Sequence, residues 1–141
     1  MKVVLDASIG VKWFKYENED NVGLAIKKLQ RKHLQDEIEI IVPDLFFYEI
    51  MNTLLNKKYF SVDDVCSASE SLHCLNMKVI CPDKEIIDNA VYITDKTKLT
   101  FYGSLYIAVA INKQALLLSE DREMLQNKDN FNFIKSLKEF H

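Results

Sequence analysis

The chain predicts an α/β fold: a central, mainly parallel sheet of four to five strands flanked by helices. Two observations predict it. Short apolar runs such as Val3-Val4-Leu5, Ile40-Ile41-Val42 and Leu116-Leu117-Leu118 lack polar alternation, as strands buried on both faces of a parallel sheet do. Between such runs lie longer stretches whose apolar residues recur three and four apart, the period of a helix packed on one side. Strands alternating with helices, with no repeat or low-complexity segment, describe one layered domain over 1–141.

The elements follow in order. Lys2 to Leu5 is the first strand, and a short helix runs through Ser8 to Phe14. A second helix covers about Asp20 to Leu34, with Val22, Ala25, Ile26 and Leu29 on one side. Glu39 to Val42 is the second strand. Pro43 then sits where the first turn of a helix tolerates it, and that helix reaches about Lys58. Ser61, with Asp64 three residues on, caps a helix to about Leu75. Lys78 to Cys81 is the third strand, followed by helices from about Pro82 to Thr94 and from about Thr100 to Asn112. Leu116 to Leu118 is the fourth strand, a short helix begins near Asp121, and Phe131 to Ile134 is a candidate last strand.

Composition narrows the function classes. A chain of 141 residues, 48% hydrophobic, with only 3 Gly and 2 Pro, is a regular and helix-rich domain rather than a linker. Charge enters at Lys2 and Asp6, too early for a signal peptide, and no apolar stretch is long enough for a membrane span, so the expected location is the cytosol. Cys66, Cys74 and Cys81 lack metal-ligand spacing, and His73 beside Cys74 has no second ligand pair nearby; buried thiols on a helix are the expectation. A net charge of -3 argues against nucleic-acid binding through a large basic surface, though not against a nuclease whose metal neutralises the phosphate. The basic clusters at Lys27, Lys28, Arg31 and Lys32, at Lys57 and Lys58, and at Lys96 and Lys98 read as solvated helix faces. Trp13, Phe14, Phe46 and Phe47 are expected mostly in the core.

The first apolar run ends in Asp6, and Ala115 to Leu118 is followed by Ser119-Glu120-Asp121. Ligands of open α/β sheets bind beyond the carboxyl ends of the strands, so two acids far apart in sequence converge there. Each is also a plain helix N-cap, for Ala7 onward and for Arg122 onward. Glu49 is a third acid. In the helix from Pro43 to Asn56, Glu49, Asn52, Thr53 and Asn56 form one polar stripe, which either faces water or lines a cleft. Oxygen ligands without His or Cys favour a hard cation, Mg²⁺ or Mn²⁺.

The segments VVLDASIGVKWF, PDLFFYEIMNTLLN, TFYGSLYIAVAI and LLLSEDREML, in this order and spacing, resemble the PIN-domain ribonucleases, in particular the VapC-type toxins. The resemblance runs the length of the chain. It implies a Mg²⁺- or Mn²⁺-dependent endoribonuclease acting on RNA, commonly a homodimer, inhibited by a small antitoxin protein. It also assigns residues: Asp6 and Asp121 as metal ligands, and Glu49 as ligand or general base. Ser8, Asn52 and Ser119 are supporting polar groups. One position departs from the pattern. Gly103 stands where the family has a metal-binding aspartate, which leaves that ligand position without a side-chain oxygen and predicts impaired cleavage.

Two other readings remain open. A non-catalytic PIN-type module that binds RNA or an antitoxin is favoured by Gly103 alone. A phosphoacceptor or phosphatase domain would need an acidic pair or an Asp-x-Asp at the first strand, where this chain has Asp6-Ala7-Ser8.

Overall fold

The computed structural model describes residues 1–14 and 20–140. Five strands form one sheet: β1 (Lys2–Leu5), β2 (Glu39–Pro43), β3 (Lys78–Ile80), β4 (Leu116–Leu118) and β5 (Ile134–Lys135). Their order is β3-β2-β1-β4-β5, and every pairing is parallel. The sheet is therefore wholly rather than mainly parallel. β1 lies at its centre, with Val4 opposite Ile41 of β2 and Leu117 of β4. Val3, Val4 and Leu5 are fully buried, as a strand covered on both faces must be.

Seven α-helices among the described residues flank the sheet: α1 (Ala7–Phe14), α2 (Asp20–Leu34), α3 (Leu45–Leu55), α4 (Val62–His73), α5 (Lys84–Thr97), α6 (Phe101–Lys113) and α7 (Arg122–Leu125). A 3₁₀ turn at Leu137–Glu139 closes the described chain. α6 is apolar around most of its circumference, and Ser104 to Ala110 are all buried where it crosses β1, β2 and β4. α1 packs on α3 through Gly10, where a Cβ would run into Ile50 and lie 3.0 Å from Phe46 Cζ.

Several boundaries move from their sequence-based positions. Pro43 ends β2 instead of opening a helix, because its missing N–H costs little at a strand end; Asp44 caps α3, which stops at Leu55. α5 starts after Asp83, whose side chain accepts from the Ile86 amide, and extends to Thr97. β5 lies at Ile134–Lys135, at and just beyond the end of the Phe131–Ile134 run. Ser61 caps α4 as predicted, with its reciprocal partner Asp64. The cysteine expectation fails: Cys66, Cys74 and Cys81 are all exposed, because α4 buries Val65, Ala68 and Leu72 on its other side and Cys81 lies beyond β3. Trp13, Phe46 and Phe47 are core residues, with Phe14 partly buried beside them. Among the described residues, no helix is long and apolar enough to cross a membrane.

Candidate functional site

After β1 the chain builds β2 and β3 on one side, then returns to lay β4 and β5 on the other. The switch in direction lies between β1 and β4, and a crevice opens beyond the carboxyl ends of two such strands. Asp6 follows β1 and Ser119-Glu120-Asp121 follows β4. Parallel register, with Leu5 opposite Leu118, thus brings residues more than a hundred positions apart to the same edge.

Asp6 is buried and accepts three hydrogen bonds. Its Oδ1 accepts from the Ser8 amide at 3.0 Å and from the Ser8 hydroxyl; its Oδ2 accepts from the Ser119 hydroxyl at 2.5 Å. The two serines are in turn held by the backbone after β4: the Glu120 amide donates to Ser8 Oγ at 2.8 Å, and the Asp121 amide to Ser119 Oγ at 2.9 Å. Burial pushes the Asp6 pKa up to about 6 against the pull of the Ser119 and Ser8 bonds, and repulsion from Asp121 adds to the rise. Asp6 caps α1 as well, since the Ser8 amide belongs to the first turn of that helix.

Asp121 is exposed and caps α7, its Oδ1 accepting from Glu123 at 2.8 Å and Met124 at 3.4 Å. Glu49, half-buried on α3, accepts from the Tyr106 hydroxyl at 2.7 Å through Oε1. Its pKa is raised by burial and by Asp121, against the Tyr106 bond. The polar stripe of α3 therefore divides. Glu49 turns toward α6, Thr53 bonds its own helix at the Glu49 carbonyl, and Asn52 and Asn56 are exposed. Asn52 has no hydrogen bond to the acids among the described residues.

Tyr106 is the residue that sequence reasoning missed as part of the site. Counted as one more apolar position of α6, it is 2% exposed, and its hydroxyl pKa is driven far above the ordinary value by burial and by Glu49. A buried phenol needs a polar partner, and that was the available signal. Gly103 lies one turn before it at the start of α6. An added Cβ there would meet Thr100 Oγ1 at 3.4 Å, Met124 Cε at 3.8 Å and Leu99 Cβ at 3.9 Å, contacts that leave room for a side chain. No packing requirement explains this glycine.

The model of the PIN domain family matches residues 3–130. The chain belongs to the PIN-domain family. PIN domains are in general nucleases that use divalent metals. Solved structures share the fold of this PIN domain at low identity. They include PAE2754 from Pyrobaculum aerophilum (20% identity, TM-score 0.68, 98% of this chain and 90% of that one). A toxin-antitoxin complex from Klebsiella pneumoniae matches at 11% identity and TM-score 0.67, over 98% and 99% of the two chains. VapBC-1 from nontypeable Haemophilus influenzae matches at 12% and 0.69, over 99% and 100%. No curated protein sequence matches the chain significantly.

The PIN-domain acids suit a hard cation by chemistry. Their donors are oxygens, the one charged neighbour that shifts Asp6 is the like-charged Asp121, and no ion pair seen among the described residues involves Asp6, Glu49 or Asp121. They do not form a closed cage: among the described residues no three Asp, Glu, His or Cys side chains are grouped to hold an ion. The set fits an ion bound by one or two carboxylates and otherwise by water and substrate phosphate, the habit of Mg²⁺.

Proposed function

We propose that this PIN domain is the toxin of a toxin–antitoxin pair, a Mg²⁺- or Mn²⁺-dependent endoribonuclease whose cleavage is weakened by Gly103. The observation that supports the reading is the placement of Asp6 and Asp121 directly beyond β1 and β4 at the switch in strand order, with the charge of Asp121 raising the proton affinity of both Asp6 and Glu49. Asp6 and Asp121 would hold the ion. Ser8 and Ser119 keep both oxygens of Asp6 in one orientation, so the carboxylate is set before any ligand arrives. Glu49 keeps Oε1 on Tyr106, which leaves Oε2 to join the ligands or to take a proton from the attacking water. When bound, the ion supplies Lewis-acid stabilisation of the phosphate charge and a more acidic water.

The proposed partners are an RNA substrate, a small antitoxin and a second copy of the chain, with the cytosol as the place of action. The Klebsiella pneumoniae neighbour, itself a toxin-antitoxin complex, supports the antitoxin. The absence of a fourth carboxylate removes a charge and a coordination position, so cleavage is expected to fall by orders of magnitude. The test is RNA cleavage with Mn²⁺ by this chain and by Gly103→Asp. The variant should be faster by on the order of a hundredfold, comparable to the loss of other metal-site groups. Equal rates would overturn the account of Gly103.

A second reading is a binding module on a nuclease fold. It is favoured by the engagement of both Asp6 oxygens by serines and by the lack of a three-ligand group among the described residues. It gains if neither protein cleaves RNA.

A further inference from the structure

We infer that Tyr106 is a positioning residue of this site, fixing the Glu49 carboxylate among the acids through its hydroxyl proton. The inference rests on the proposed reading for what Glu49 does, but the contact itself stands on geometry. The Tyr106 hydroxyl has one proton to give and lies 2.7 Å from Glu49 Oε1. An ionised carboxylate can only accept, so the proton between them is the one the phenol gives.

One hydroxyl thus joins α6 to Glu49 on α3. Packing does not require it. Tyr106 stands among Leu105, Ile107, Ala108 and Val109 in a buried helix, where a phenylalanine ring would fill the same space. Glu49 has three rotatable side-chain bonds and faces the like charge of Asp121, which tends to push it away. The phenol holds it in place. It also commits Oε1 and leaves Oε2 for other work, and with glycine at 103 each remaining carboxylate matters more to a bound ion.

The test compares this chain with Tyr106→Phe, which keeps the ring, with Glu49→Gln and with the double variant. Binding of Mn²⁺ alone is followed by the electron paramagnetic resonance signal of the free ion. Tyr106→Phe should weaken binding about tenfold, as loss of a group orienting a metal ligand does. The double variant should be no weaker than Glu49→Gln, since the phenol acts through that glutamate. Unchanged affinity in Tyr106→Phe, or fully additive losses, would overturn the inference. A metal-free measurement separates it from the nuclease reading: carbon-13 NMR titration of the Glu49 carboxyl. Loss of the donor should move that titration to higher pH, and no movement overturns the inference regardless of metal. If the titration moves but neither this chain nor Gly103→Asp binds Mn²⁺, the positioning contact holds and the metal-nuclease reading fails.

Discussion

Asp6 is ionised at neutral pH only against the cost of its burial. Its pKa in the fold is about 6 against 3.8 for the free side chain, so the folded state binds the proton more tightly than the unfolded one. The stability tied to that proton is fully present below pH 3.8 and lost as pH rises through 6. It amounts to about 3 kcal/mol at the usual conversion for a pKa shift. The metal-free chain should therefore lose stability between pH 4 and pH 7, and Asp6→Asn should flatten that slope in urea unfolding. An unchanged slope would remove Asp6 as its source; Glu49, also raised, acts in the same direction. A divalent ion competes with the same proton, so Mn²⁺ binding should strengthen as pH rises past 6. Gly103 is the other decisive residue. It occupies the first turn of α6, its amide donating to the cap Thr100, and has space beside it. Gly103→Ala should raise stability by about 1 kcal/mol, the usual helix preference. Gly103→Asp should gain less than alanine without metal, because it adds a like charge, and more than alanine with Mn²⁺; thermal melts of the three proteins with and without the ion measure both orders.

At the scale of elements, a second helical glycine should respond in the opposite way. Gly10 sits where α1 crosses α3, and a Cβ there would overlap Ile50, a fully buried side chain, and press on Phe46 Cζ at 3.0 Å. Overpacking of this kind costs about 1–3 kcal/mol, more than the helix gains from alanine. Gly10→Ala should therefore destabilise the domain, and a rise in its melting temperature would show that the two helices can separate freely. Ser61→Ala should cost about 1 kcal/mol by removing the cap of α4, with no effect on the acid site. Such local devices are what the sequence displays best: the Ser61–Asp64 pair was legible because cap and partner are three residues apart. Pro43 was misread because a proline is tolerated both at a strand end and in a helix's first turn, and only its hydrogen-bonding neighbours distinguish the two. The cysteines were misread for a related reason. Thiols are commonly buried, but the face of α4 that is buried is chosen by Val65, Ala68 and Leu72.

At the scale of the molecule, the switch in strand order brings the strand-end acids to one edge. Because β1 pairs with β4, the acids after each strand share an edge, and α3 and α6 add Glu49 and Tyr106 to it. An ion bound there and absent from the unfolded chain should stabilise the whole domain, by about 2.7 kcal/mol at a hundredfold excess over its dissociation constant. The sequence by itself determined the fold class and the identity of the strand-end acids, because apolar runs and helical periods are properties of residues and their neighbours along the chain; Gly103 stands out only against the resemblance to the PIN-domain family. The wholly parallel order, the bond of Ser119 to Asp6, and the bond from Tyr106 to Glu49 were decided only by tertiary structure. Each joins groups from separate elements, and a buried hydroxyl in an apolar helix reveals its partner only once the helices and strands have packed.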